Sequence, residues 1–180
     1  YLKRACKVIC PSPYLKEEME KVIPLDYIII PNAIELEDYS FKLRSSLPSS
    51  SLKILWVRSF HKIYNPTLAI RVLKALYDQG YDQIELCMVG PDKDGSMKKV
   101  QELARDLGVE HKLKLTGRIS KKDWLNLSAV FDVFINTTQV DNTPVSVVEA
   151  MALGLPVVTT NVGGIPHLLE PYTHALLVEP

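Results

Sequence analysis

Short β-branched runs alternate with helical segments along this chain, and that alternation constrains its fold more than any other feature. KVIC (7–10) reads as a strand, and Ser12 and Pro13 then open a helix to about Lys21, with Glu17 and Glu18 in its first turns. YIIIPN (27–32) reads as a second, buried run ending in a Pro-Asn turn. Residues 35–51 read as irregular, acidic at first and then SSLPSSS, which makes them the best linker in the chain.

After that stretch the alternation becomes regular. KILWV (53–57) is a strand, followed by a helix over 66–79 with Pro66 as its first residue. Leu68, Val72, Ala75 and Leu76 share helical spacing, and Gly80 ends the helix. IELCMVG (84–90) is a strand, and Gly95 to Leu107 a helix closed by Gly108. KLKLTG (112–117) precedes a short helix from Ser120 to about Val130, where Ser120 and Asp123 resemble a capping box. DVFINT (132–137), a helix over 144–153, PVVTT (156–160) and HALLV (174–178) complete the pattern.

Strands of this length separated by helices form right-handed βαβ units and a parallel sheet. Six strands from residue 52 onward make the expected class α/β, a doubly wound parallel Rossmann-like sheet. Such sheets bind ligands at the carboxyl ends of their strands, so the informative residues are those that directly follow each strand.

Composition narrows the function. Residues 1–90 carry 12 basic and 10 acidic side chains and residues 91–180 carry 9 and 11, so no basic half exists to hold a nucleic acid. At 47% hydrophobic and 23% charged residues, disorder is excluded. The longest apolar stretches fall far short of the ~20 residues that a spanning helix needs. Residue 1 is Tyr rather than Met and no signal peptide opens the chain, which reads as a fragment. Three cysteines (Cys6, Cys10, Cys87) with no CxxC pair read as core thiols in a reducing, cytoplasmic compartment. No second ligand pair follows Cys6 and Cys10, so a metal is not expected.

Two strand ends carry chemistry. After the first regular strand, Arg58, His61 and Lys62 lie in one short loop that opens a helix. A helix amino terminus with Arg and Lys nearby suits a phosphate group, and a solvated basic turn has the same sequence. After the fourth, Asp141-Asn142-Thr143-Pro144 leads into VSVVEAMALG, with Thr143 expected as the cap and Pro144 as the first helical residue. Glu149 sits among Val147, Val148, Ala150 and Met151, where burial requires hydrogen bonds. Sugar hydroxyls meet that need, as does a helix stripe facing water. Helical rise puts Glu149 about 9 Å along the axis from the cap, roughly the span between the two sugars of a sugar nucleotide. Gly163 and Gly164, after the fifth strand, permit close backbone approach or positive φ. Neither GxGxxG nor a Walker A motif occurs.

These residues resemble a known family. DNTPVSVVEAMALGLPVVTTNVGG is similar to the signature of the group 1 (family 4) retaining glycosyltransferases, which have the two-domain GT-B fold. VIIPNAI-like text at 28–34 resembles the family's hinge, and WVRSFHKIYNP its Arg-x-x-x-Lys loop. MVGPDKDG and LTGRIS resemble the segments after its second and third strands. The chain departs in three places. Asp141 stands where Glu is usual, Asn-Thr-Pro where Gly-Phe-Gly often follows, and Ala33 where the hinge usually has Gly.

The resemblance implies a division into residues 1–30 (last strand-helix unit of the amino-terminal domain and hinge), 31–51 (linker) and 52–180 (nucleotide-sugar-binding domain, truncated). It implies transfer of a hexose, with retention, from a UDP- or GDP-type sugar without a cofactor or metal. Arg58 and Lys62 are implied to bind the departing diphosphate, and Asp141 to contact the transferred sugar. Glu149 is implied to bind the ribose, the backbone at Asn142, Thr143 and Pro144 to line the phosphate and sugar side, and Gly90, Arg118 and Ile119 to flank the base. The sugar or lipid-linked acceptor is expected mainly on the amino-terminal domain, so this chain is expected to bind donor and transfer little or nothing. Polysaccharide biosynthesis, in the cytoplasm or at the inner membrane face, fits the resemblance. A non-catalytic nucleotide-sugar binding module and a GT-B-type epimerase are the alternative readings.

Overall fold

The computed structural model describes residues 4–44 and 51–180, so the Ser45–Ser50 part of the polar run lies outside the described residues. The first unit is β1 (Val8–Cys10), α1 (Pro13–Val22) and β2 (Tyr27–Ile29), with the two strands paired in parallel. Ser12 caps α1, its hydroxyl accepting from the Leu15 amide at 3.1 Å.

Six parallel strands form the main sheet: β3 (Ser51–Val57), β4 (Gln83–Val89), β5 (Leu113–Gly117), β6 (Val133–Asn136), β7 (Val157–Thr160) and β8 (Leu176–Val178). Their spatial order is β5-β4-β3-β6-β7-β8, so the order reverses between β3 and β6. The crossovers carry α2 (Pro66–Asp78), α3 (Ser96–Asp106), α4 (Lys121–Ser128), α5 (Val145–Ala152) and the four-residue α6 (Ile165–Leu168). This is the doubly wound α/β sheet that the alternation predicts.

Side-chain alternation along the strands builds one core on each face of the sheet. Ile54 and Trp56 of β3, with Leu86 and Met88 of β4, pack among Ala69, Ile70 and Leu73 of α2 and Val100 and Ala104 of α3. Leu55, Cys87 and Phe134 point the other way, to Trp124, Val147 and Ala150. Each fully buried Leu, Ile or Phe contributes about 1.5–3 kcal/mol relative to exposure. Trp56 has no exposed surface, and its indole N–H donates to the Thr137 hydroxyl at 3.0 Å.

Four local readings need correction. The buried residues of α2 are Pro66, Ala69, Ile70 and Leu73, whereas Leu68, Val72 and Leu76 are half-buried and Ala75 is exposed. Ile28, Ile29 and Ile30 are 39–53% exposed, while Tyr27 of the same run is buried; β2 pairs with β1 alone, outside the main sheet. Cys6 is exposed, while Cys10 and Cys87 are buried as expected. Pro144 holds the cap position of α5, Val145 is its first residue, and no side chain caps the end.

The segment before β3 is far from featureless. Residues Leu36–Asp38 form a 3-10 turn, and Tyr39 behind them is buried. The Arg44 guanidinium donates to the carbonyls of Ser128, Phe131 and Leu153, gathering the carboxyl-terminal ends of α4 and α5.

Candidate functional site

The site lies over the carboxyl ends of β3 and β6, where strand order reverses. β3 delivers Arg58 and β6 delivers the loop 137–144, and the Arg58 Nη2 pairs with Asp141 Oδ2. Asp141 Oδ1 accepts from the Asn142 amide at 2.9 Å. The Tyr64 ring lies 4.3 Å from the Arg58 guanidinium carbon, a cation–π contact. Burial pulls the Arg58 pKa below its usual value, and the Tyr64 phenol group opposes that shift. A guanidinium stays charged at neutral pH in any case.

Glycines set the backbone of this site. A β-carbon on Gly90 would stand 1.8 Å from the Arg58 carbonyl oxygen, so only glycine lets β4 end against β3 here. Gly163 and Gly164 underlie the Asp141 loop in the same way. Their added β-carbons would meet the Asp141 and Asn142 carbonyl oxygens at 2.1 and 2.0 Å. Close approach is what the paired glycines provide, and Gly163 also takes a positive φ of 57°.

A cleft of about 300 Å³ opens beside Arg58, lined by Gly90, Arg118, Ile119, Trp124 and Ser146 among others. The residues read as flanking a base (Gly90, Arg118, Ile119) thus meet the residue read as holding the diphosphate (Arg58). Two buried polar atoms at this cleft, Arg58 Nε and Ser146 Oγ, have no hydrogen-bond partner among the described residues. Ser146 was not legible as a site residue. Its place on the second residue of α5, facing the sheet's open end, depends on where the helix starts.

Glu149 lies one turn beyond Ser146 on α5, and its side chain is 14% exposed. It faces neither open water nor an apolar wall. Its Oε1 accepts from the Tyr39 hydroxyl at 2.7 Å, and the Lys121 ammonium stands 3.9 Å away. Lys121 also pairs with Asp38 at 3.6 Å and sits 5.0 Å from the centre of the Tyr39 ring. Burial raises the Tyr39 hydroxyl pKa, and the nearby Glu149 carboxylate adds to the rise.

Of the predicted residues only Arg58, Gly90, Arg118 and Ile119 line the cleft; Asp141, Glu149, Lys62, Asn142, Thr143 and Pro144 do not. Lys62 is exposed on the 3-10 turn Lys62–Tyr64 and forms no ion pair among the described residues. His61 shapes that turn, its Nδ1 accepting from the Ile63 amide at 3.2 Å. Asp94 anchors the same turn by accepting from the Lys62 amide at 2.9 Å. Asn142 Oδ1 accepts from the Ser12 hydroxyl, tying the loop to the start of α1. Thr143 lines a separate hollow of about 100 Å³ with Ser12, Asn32 and His167. Among the described residues, no group of three His, Cys, Asp or Glu side chains is placed to hold a metal. No described helix is long and apolar enough to cross a membrane.

A six-stranded, doubly wound parallel sheet with its cleft at the reversal point matches the fold of GT-B glycosyltransferase domains. The comparisons with known proteins agree. The family model for glycosyl transferases group 1 matches residues 40–180, and the chain belongs to that family. One of the subunits of human phosphatidylinositol N-acetylglucosaminyltransferase is 28% identical over 191 residues, which cover 96% of this chain and 35% of the human protein. The amylovoran biosynthesis glycosyltransferase AmsK of Erwinia amylovora is 30% identical over 144 residues, 76% of this chain and 34% of AmsK. Among solved structures, Anabaena Alr3699/HepE in complex with UDP and glucose superposes with a TM-score of 0.83 at 22% identity. That match covers 98% of this chain and 50% of HepE. The chain therefore spans about a third of those two sequence relatives and half of that structure.

Proposed function

We propose that this chain is the donor-binding half of a retaining glycosyltransferase that moves a hexose from a nucleoside diphosphate sugar to an acceptor. The observation that carries the reading is the pair of orphaned buried polar atoms, Arg58 Nε and Ser146 Oγ, at one cleft. An unpaired buried donor costs about 1–3 kcal/mol, so two of them at one opening support a polar ligand that completes their bonding.

The proposed roles follow from placement. The base enters the cleft between Gly90, Arg118 and Ile119. Glu149 takes the ribose hydroxyls one helical turn past Ser146. Arg58 and the exposed Lys62 hold the diphosphate, and the amino end of α5 adds its dipole. Asp141, with the Asn142–Pro144 backbone, faces the transferred sugar. In transfer, the bond from the anomeric carbon to the diphosphate oxygen breaks and the electron pair leaves with the diphosphate. The acceptor oxygen forms the new bond on the same face, and its proton passes to a diphosphate oxygen. Fixed positive charge at the leaving group favours that step without a metal. Polysaccharide or glycolipid assembly on the cytoplasmic side is the proposed setting. Acceptor binding is assigned to the amino-terminal domain, so this chain binds donor and transfers little sugar alone.

Calorimetric titration with UDP, GDP and ADP tests the reading. One nucleotide is expected to bind, and Arg58→Ala and Glu149→Ala are each expected to abolish or strongly weaken it. Absence of binding by all three to the unmodified chain overturns it.

A further inference from the structure

We propose that Tyr39 is a positioning residue for the Glu149 carboxylate, fixing one of its oxygens so that the other is presented to the ribose. The inference rests on the reading of Glu149 as the ribose carboxylate. It adds a residue from outside the α/β alternation altogether. Tyr39 lies 110 positions before Glu149, in a stretch that reads as linker, yet its hydroxyl donates to Oε1 at 2.7 Å.

Three features separate this contact from an incidental surface bond. First, Tyr39 is 7% exposed and packs in the core on the α5 side of the sheet, so its hydroxyl is held in place. Second, both protein partners of the carboxylate, Tyr39 Oη and Lys121 Nζ, approach the same oxygen, Oε1. Among the described residues Oε2 takes no protein partner, and a carboxylate has two oxygens to give. Third, Lys121 is itself steered by Asp38 and by the Tyr39 ring, so the 36–39 turn controls both partners. A glutamate on a helix has three side-chain torsions to fix. Holding Oε1 from one side leaves few orientations for Oε2, and that preorganisation lowers the entropy lost when a diol binds.

The alternative is that Tyr39 only helps pack the segment before β3 onto α5. The two roles differ in what they do to ribose recognition. The test compares UDP, GDP and ADP with their 2′,3′-dideoxy counterparts in calorimetric titration of the 180-residue chain. Variants are Tyr39→Phe, Lys121→Gln, Glu149→Gln and the double Tyr39→Phe/Glu149→Gln. Tyr39→Phe keeps the ring and removes only the hydroxyl, and a thermal melt confirms each variant is folded.

Tyr39→Phe is expected to weaken the bound ribonucleotide roughly tenfold, while the dideoxy analogue changes less than about twofold. The preference for ribose then shrinks, and the double variant loses no more of it than Glu149→Gln alone. Lys121→Gln is expected to act in the same direction with a smaller effect. If Glu149→Gln erases the ribose preference and Tyr39→Phe leaves it intact, Tyr39 is a packing residue and the inference fails alone. If Glu149→Gln also leaves the preference intact, or no nucleotide binds, the assignment of Glu149 fails and the inference with it.

Discussion

Arg58 and Asp141 stand 83 positions apart in the chain, and their ion pair fastens the end of β3 to the loop after β6. The pair spans the reversal point of the sheet and orients the Arg58 guanidinium, which lines the cleft. Side-chain exposures of 18% for Arg58 and 9% for Asp141 make this a largely dehydrated pair. Dehydrated pairs add little over apolar replacements, but removing one partner strands the other.

Arg58→Ala is therefore expected to lower stability by about 2–4 kcal/mol, discounted slightly for the residual exposure of the pair. Asp141→Ala is expected to be similar in direction. The double variant should lose clearly less than the sum of the two single losses, since neither charge is then left alone. Urea unfolding of the four proteins gives the cycle, and simple additivity would contradict a coupled pair.

The loop that holds Asp141 rests on glycine. Gly164 has an ordinary negative φ, so Gly164→Ala tests space alone: its β-carbon would collide with the Asn142 carbonyl oxygen. Gly95 is the reverse case, with a φ of +80° and nothing within 4 Å of an added β-carbon. Gly95→Ala is expected to cost about 1–2 kcal/mol for its left-handed backbone and to leave nucleotide affinity unchanged. Gly164→Ala is expected to weaken nucleotide binding by moving residues 141–142, although Gly164 does not itself line the cleft. Titration with UDP, GDP and ADP separates the two, and equal affinity in both variants would contradict the claim that the Asp141 loop is set by glycine.

Much of this architecture is legible in the residues themselves. Short β-branched runs and capped helical segments place all six strands and the long helices, because both are local signals. Arg58, Gly90, Arg118 and Ile119 converge because strand ends converge in any doubly wound sheet. Long-range pairing is a different matter. Nothing near Tyr39 or Arg44 signals that one meets Glu149 and the other gathers helix ends, since those partners are 84–110 positions away. A polar, Pro- and Ser-bearing sequence lacks periodicity whether it floats or docks. The start of α5 shifted by one residue for a related reason: Thr143 and Pro144 suit cap and first position, yet the loop is already pinned by Asp141 and by the Ser12–Asn142 bond.

Acid is expected to weaken the anchor that Asp94 gives the basic loop. Asp94 accepts from the Ser96 hydroxyl at 2.5 Å and from the Lys62 amide at 2.9 Å, and these bonds pull its pKa from an ordinary 3.8 to about 2. The folded-state value is the lower one, so the carboxylate adds stability above about pH 4 and loses it as pH falls toward 2. Asp94→Asn removes that dependence. Its thermal midpoint is expected to fall less than that of the unmodified chain between pH 5 and pH 2.5. Parallel pH profiles of the two would contradict the assignment.

The orphaned hydroxyl of Ser146 gives a prediction in which stability and binding move in opposite directions. Ser146 is 7% exposed, and its Oγ has no partner among the described residues. An alanine there removes an unpaired buried group and leaves a helix former in the second position of α5. Ser146→Ala is expected to leave stability unchanged or raise it by about 1 kcal/mol. At this chain length that corresponds to roughly 2–4 °C in the thermal midpoint. Nucleotide affinity is expected to fall several-fold, because the hydroxyl gains its partner only when the cleft is filled. A hydroxyl that serves the fold gives the contrary pattern, lower stability with unchanged affinity. One thermal melt and one titration on the same sample therefore decide whether α5 keeps Ser146 for the ligand or for itself.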